Sequence, residues 1–92
     1  QDFNSVSDLK LKTNIESIEN ALDTINKMDG YTFNWKSDGE IGIGVIAQEV
    51  EEILPDIVKT NEDSVKSVSY VSIIPVLIEA IKELSNKIDD LQ

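Results

Sequence analysis

The 92-residue chain contains no cysteine, no histidine and no arginine. Without cysteine it forms no disulfide and has no thiol nucleophile. Histidine is the commonest general base and the commonest metal ligand, so its absence removes both roles together. Any hydrolytic chemistry must therefore use a serine or threonine activated by lysine, or a pair of carboxylates. We expect no metal site and no cofactor.

Positive charge is also scarce in this sequence. All eight basic residues are lysine, and the formal net charge is -10. Binding to nucleic acid or to an anionic membrane surface needs clustered cations, so the charge argues against both as partners. No apolar run reaches the length of a membrane span. The chain length predicts one domain with a thin hydrophobic core.

The most regular pattern is a heptad seam near the C-terminus, which we call the seam. Apolar residues recur there at alternating spacings of three and four, with isoleucine at each a position and leucine at each d position. They are Ile74, Leu77, Ile81, Leu84, Ile88 and Leu91. We interpret residues 69–92 as a helix whose first half packs on the domain and whose second half enters an oligomer. The alternative is a core helix of a monomer, and the seam alone favours two strands over three.

The N-terminal part predicts an extended segment followed by a helix. Leucine and lysine alternate from Leu9 to Lys12, which indicates a short extended stretch. Thr13 and Glu16 fit a capping box, so a first helix would start there or as late as Glu19. Gly30 in a left-handed conformation would end that helix.

The central part predicts two strand pairs and a second helix. Residues 31–35 alternate aromatic with polar side chains and give the strongest strand signal, and residues 41–44 continue after a turn. Residues 45–54 have a helical pattern that Pro55 ends. A hairpin follows over residues 57–68. The expected fold is α+β, with a small antiparallel sheet whose aromatic side chains form the main hydrophobic face.

Few residues in this composition are candidates for catalysis. The helical carboxylates of residues 49–52 are more typical of a solvated face than of an acid-base pair, which usually spans a cleft. Ser7 and Lys12 are a possible nucleophile and base. Residues five apart face opposite sides of a strand and lie about 140° apart on a helix. The pair therefore needs a bend at Ser7 or a contact between two chains, and Ser7 capping a turn with Asp8 is the simpler interpretation.

Four segments nevertheless resemble, in order, the endosialidase-type intramolecular chaperone domain of phage tail spikes, tail fibres and neck appendages. Ser7-Asp8-Leu9-Lys10-Leu11-Lys12-Thr13-Asn14-Ile15 resembles the family's opening Ser-Asp-x-(Arg/Lys)-Leu-Lys-x-x-Ile motif, with Lys10 where arginine is more usual. The other similar segments are Tyr31-x-Phe33-x-Trp35, Gly44-Val45-Ile46-Ala47-Gln48-Glu49-Val50-Glu51 followed by Pro55, and Val68-Ser69-Tyr70 with the terminal helix. The likeness extends over residues 7–91.

The resemblance implies an architecture and a set of partners. Residues 1–6 would lead in from an upstream β-rich domain of the same polypeptide, and residues 7–92 would be the chaperone domain. The long helix of residues 69–92 would join a homotrimeric, coiled-coil-like bundle through the seam. The domain would assemble three upstream chains in the host cytoplasm and then cut itself off, so that it is absent from the mature virion.

The resemblance also assigns the two catalytic residues of a single-turnover serine peptidase. Ser7 would attack the carbonyl of Val6, cutting the Val6–Ser7 bond, and Lys12 would be the general base. Lys12 acts as a base only when it is neutral, a state that burial and the like charge of Lys10 favour. Asp8 should then point away from Lys12. Whether the pair forms within one chain or between chains stays open.

Two other functions remain possible for such a sequence. The first is a structural trimerisation tip that does not cleave. The second is the related self-cleaving domain of a membrane-anchored transcription factor, which is disfavoured because nothing basic or membrane-spanning accompanies the motifs.

Overall fold

The computed structural model describes residues 4–92, so residues 1–3 of the predicted lead-in lie outside the described part. The fold is α+β, as predicted. Its helices are α1 (Ala21–Asn26), α2 (Ala47–Ile53) and α3 (Ile73–Asp90). Its strands are β1 (Tyr31–Asn34), β2 (Ile41–Gly44), β3 (Val58–Thr60) and β4 (Lys66–Val68). Short 3₁₀ turns cover Leu9–Leu11, Pro55–Ile57 and Tyr70–Ser72. Within residues 4–92 no helix has the length and apolar character needed to span a bilayer.

The strands form two separate antiparallel hairpins rather than the single small sheet expected. In the first, β1 pairs with β2 in a register that places Tyr31 opposite Gly44. In the second, β3 pairs with β4, and Val58 lies opposite Val68. The tight turns use left-handed backbone, at Gly39 (φ 74°) in the first hairpin and at Ser64 (φ 61°) in the second.

The main core lies between α1 and α3. Ala21 is fully buried and packs with Val76 and Ala80 of α3. The small side chains of Ala21 and Ala80 let the two helices approach closely. Leu22, Ile25 and Leu54 cover the edges of the contact. Val50 of α2 is the other buried hydrophobic side chain among the described residues. The aromatic side chains of residues 31–35 were expected to form the main hydrophobic face, but Tyr31 and Trp35 are exposed and the buried residues lie elsewhere.

α3 uses a different face for this core from the face that carries the seam. Val76 and Ala80 face α1, and the seam lies roughly a quarter turn away, since successive helical residues are about 100° apart. Every seam side chain is exposed, from 40% for Leu77 to 87% for Leu91. The first half of the helix packs on the domain, as expected, but the seam itself stays uncovered along its whole length. The helix begins at Ile73, with Pro75 in its first turn, and Tyr70–Ser72 before it form a 3₁₀ turn.

α1 is shorter than the capping box predicted. It begins at Ala21 rather than between Thr13 and Glu19, and it ends at Asn26. Ile15, which the longer helix would have buried, is 63% exposed. An apolar stripe stabilises a helix only where a partner surface covers it, and the side chains of residues 13–20 are all exposed. Gly30 is not left-handed, so that prediction was also wrong.

The single chain leaves much apolar surface in water. Among residues 4–92, four hydrophobic residues are buried and twenty large ones are exposed. The solvent-accessible surface is 8010 Å², whereas a compact protein of this mass exposes about 5300 Å². The radius of gyration is 16.3 Å, against about 12 Å for a compact domain of this length.

Candidate functional site

The segment that carries Ser7 and Lys12 is a turn, not the extended strand predicted. Asp8 caps it, because its Oδ1 accepts a hydrogen bond from the Lys10 amide at 2.8 Å. The amides of Leu11 and Lys12 donate to the carbonyls of Asp8 and Leu9, each at 3.1 Å. An aspartate directly before the turn is a strong local cap, and this preference overrides the alternation of leucine and lysine.

The turn brings the two predicted catalytic side chains together. Lys12 Nζ donates a hydrogen bond to Ser7 Oγ at 2.7 Å. The bend that a five-residue spacing requires is thus the 3₁₀ turn between the two residues, and the contact forms within one chain. A nucleophile and a base at this separation are within direct proton-transfer reach.

Water has free access to this pair in the single chain. All side chains from residue 4 to residue 20 are exposed, including Val6 at 81%, Leu9 at 71% and Leu11 at 74%. Exposure makes the Val6–Ser7 bond accessible.

The carboxylates considered as candidates for catalysis have structural partners. The Asp8 carboxylate accepts from the Lys10 backbone, and none of the ion pairs between described residues joins it to Lys12. Glu49 accepts a hydrogen bond from the Tyr31 hydroxyl at 2.9 Å, and Glu51 pairs with Lys66 at 3.0 Å. The arrangement is not that of an acid-base pair across a cleft.

The contact with Glu49 perturbs the titration of Tyr31. The pKa of Tyr31 is raised above its usual value, first by the hydrogen bond to Glu49 and then by partial desolvation. The negative charges of Glu49 and Asp29 act in the same direction. This pair fixes the start of α2 against β1.

Two long-range contacts were not foreseen from the sequence. The Val45 amide donates to the Tyr70 hydroxyl at 3.1 Å, which joins the end of β2 to the turn before α3. The carboxylate of Glu83 accepts from the Ala21 amide at 2.8 Å and from the Leu22 amide at 3.3 Å. Glu83 is not one of the seam residues, and no local pattern indicates that a residue 62 positions away caps α1.

Comparison with known proteins adds a family to this geometry. A family model described as "Chaperone of endosialidase" matches residues 7–59, from the first residue of the Ser-Lys turn into β3. The chain belongs to the chaperone-of-endosialidase family. The resemblance inferred from the motifs is thereby confirmed, and the family is one of self-cleaving serine peptidases.

Similar sequences occur in phage long tail fibres. The chain is 35% identical over 96 residues to long tail fiber protein Gp37 of Enterobacteria phage K3, a match covering 94% of the chain and 8% of that protein. It is 34% identical over 103 residues to Gp37 of Salmonella phage S16, covering 100% of the chain and 14% of the relative. It is 33% identical to Gp37 of Enterobacteria phage M1, a match that covers 98% of the chain and 41% of that protein. The chain thus spans less than half of each of these relatives.

Proposed function

We propose that this chain is the chaperone module of a phage fibre protein, which assembles three copies of an upstream β-rich domain and then releases itself by autoproteolysis. The observation that carries the proposal is the 2.7 Å contact between Lys12 Nζ and Ser7 Oγ in a family of self-cleaving peptidases. The long tail fibre relatives support the fibre as the upstream partner. Assembly and release would take place in the host cytoplasm, and the mature virion would lack the module.

Trimer formation through α3 is supported by the surface that the single chain leaves bare. Each of the six seam residues exposes at least 40% of its area to water. In a bundle of three copies, the seam residues of each α3 helix would pack against the two neighbouring α3 helices and become buried, as in a coiled coil. The choice of three copies rather than two follows the family, because the seam alone favours two.

The proposed reaction is an acyl transfer followed by hydrolysis. Lys12 Nζ takes the proton of Ser7 Oγ, and the oxygen attacks the carbonyl carbon of Val6. The Val6–Ser7 C–N bond breaks, the new ester joins Val6 to Ser7 Oγ, and the leaving Ser7 amine takes up the proton. Water then hydrolyses the ester, giving the Val6 carboxylate and restoring the Ser7 hydroxyl. The net change is the addition of one water across the Val6–Ser7 bond.

Assembly would switch this reaction on by removing water. The dyad is already in contact in the single chain, but it is exposed. Leu9 and Leu11 flank it with apolar surface that a neighbouring chain would cover. Exclusion of water disfavours the ammonium form of Lys12 relative to the amine. Cleavage would then follow trimer formation rather than precede it.

The proposal is tested with a precursor that carries an upstream fibre domain. Ser7→Ala removes the nucleophile, and Lys12→Arg keeps the charge but removes the base, because arginine does not give up its proton. We expect both variants to fold. Mass spectrometry should show that both stay full-length. Lys10→Arg is the matched control, since it makes the same substitution two residues away, and it should cleave at the normal rate.

Two results would contradict parts of this proposal. Normal cleavage by Lys12→Arg would show that Lys12 is not the base, leaving a strain-driven acyl shift at Ser7 or a carboxylate such as Asp8 as the mechanism. A stable trimer of the unmutated precursor that is never cut would identify the module as a non-cleaving trimerisation tip.

A further inference from the structure

α1 has no local means of starting. It is six residues long, and the preceding residue, Asn20, is left-handed (φ 57°) and makes no side-chain cap. The first amides of any helix lack partners within the helix, and a helix this short is not stable alone. The carboxylate of Glu83 supplies the missing acceptors by bonding the amides of both Ala21 and Leu22.

Glu83 lies in α3 at the level of the seam but on the face that packs against α1. Its sequence neighbour is the seam residue Leu84, and Ala80 is one turn before it on the face that buries Ala21. The turn of α3 that would meet the other copies is thus the same turn that caps α1. The capped N-terminus of α1 is also the end that residues 13–20 connect to Lys12, so Glu83 holds α1 at the point where the segment with the dyad enters it.

We propose that Glu83 is a positioning residue for self-cleavage, which fixes the dyad segment to the trimerisation helix by capping α1. The inference rests on the proposed function and adds a residue outside its catalytic pair. Without the cap, α1 frays, and residues 7–20 lose their fixed attachment to α3. Loss of the cap does not change the seam residues, so trimers still form. The dyad, however, is no longer held in the position where a neighbouring chain excludes water from it.

The experiment measures cleavage of the assembled precursor and exchange of individual amides. Glu83→Ala should form trimers yet cleave about tenfold more slowly, as expected for losing hydrogen bonds to a charged acceptor. Glu83→Gln, which keeps one oxygen as an acceptor, should cleave at an intermediate rate. Hydrogen exchange should show that the Ala21 and Leu22 amides are protected in the unmutated trimer and lose protection in Glu83→Ala.

Two controls separate positioning from a general loss of stability. Glu79→Ala removes a carboxylate from the same helix whose partner is Lys82, not α1, and should cleave normally. Val50→Ala makes a cavity at a buried residue of α2 and lowers the melting temperature without touching the cap. It should cleave normally at temperatures below its transition.

The outcomes distinguish this inference from the proposed function. If the unmutated precursor is cut and Glu83→Ala trimers are cut equally fast, Glu83 has no positioning role while autoproteolysis stands. A loss of rate in Val50→Ala that matches the loss in Glu83→Ala at equal melting temperature would likewise overturn it. If the unmutated precursor is never cut, both ideas fail.

Discussion

At the scale of single residues, the clearest constraint is the close packing of two glycines in β2. An added Cβ at Gly42 would overlap the Phe33 ring, and one at Gly44 would overlap the Tyr70 hydroxyl. Phe33 is itself held edge-to-face against Trp35, with ring centroids 4.9 Å apart. Glycine is thus present in this strand because side chains from other elements occupy the space beside the backbone.

We predict that Gly44→Ala lowers the free energy of unfolding by about 1–3 kcal/mol, the usual cost of overpacking a tight contact. The added methyl group would displace the Tyr70 hydroxyl, which also accepts the Val45 amide. Gly30→Ala is the matched control, because nothing lies within 4 Å of its added Cβ and its φ is negative. Urea denaturation of both variants compares them, and equal midpoints would contradict the packing argument.

The Tyr31–Glu49 pair predicts a pH dependence at the alkaline end. The pKa of Tyr31 in the folded chain is raised above its usual value of 10.0. The contribution of the pair to the free energy of unfolding is therefore complete below pH 10.0. That contribution is lost as the pH rises through the higher pKa of the folded state. The difference in tyrosinate absorbance between the unmutated chain and Tyr31→Phe isolates this titration.

Glu49→Gln tests whether the hydrogen bond to Glu49 is what raises the pKa of Tyr31. It removes the charged hydrogen-bond acceptor, which is the largest cause of the shift. The pKa of Tyr31 should therefore fall towards its ordinary value. If Tyr31 titrates at the same pH in both chains, the contact with Glu49 does not form in solution.

At the scale of elements, the sequence predicted what local periodicity controls. The alternation over residues 31–35, the helical pattern before Pro55 and the heptads of the last helix all appear as β1, α2 and α3. These patterns succeed because each repeats over several residues and because turns or proline bound them. The opening motif indicated Ser7 and Lys12 through its resemblance, and their side chains lie in contact, although the predicted conformation of the segment was wrong.

Of the mispredicted elements, one is decided by a local cap and the other by a contact that no window of sequence contains. Leu9–Leu11 is a turn because the one side chain of Asp8 caps it, which outweighs a short alternation. α1 begins at Ala21 because Glu83 lies at its N-terminus, whereas the better local cap at Thr13 has no packed helix behind it. Tertiary packing decides helix boundaries where the apolar stripe is short.

At the scale of the whole molecule, the exposed seam of α3 predicts the oligomeric state. A single chain with twenty exposed large hydrophobic residues among residues 4–92 carries more apolar surface than soluble monomers usually do. The docked face of α3 already has its partner in α1, so the seam has no further partner within the described chain. Association of identical chains along α3 would cover it.

We predict that the unmutated chain forms the proposed trimer and that Ile81→Asp together with Leu84→Asp leaves it a monomer, because each copy would bury two unpaired carboxylates in the seam. α1 should remain docked, since Val76 and Ala80 lie on the other face. Light scattering measures the mass of this double variant. A precursor that carries the two substitutions should stay uncut if assembly is what excludes water from Lys12. Lys82→Asp with Asn86→Asp adds two carboxylates to the outer face of the same helix and should remain trimeric and be cut. A folded monomer of the unmutated chain at micromolar concentration, or efficient cutting by the monomeric variant, would show that assembly does not control the reaction.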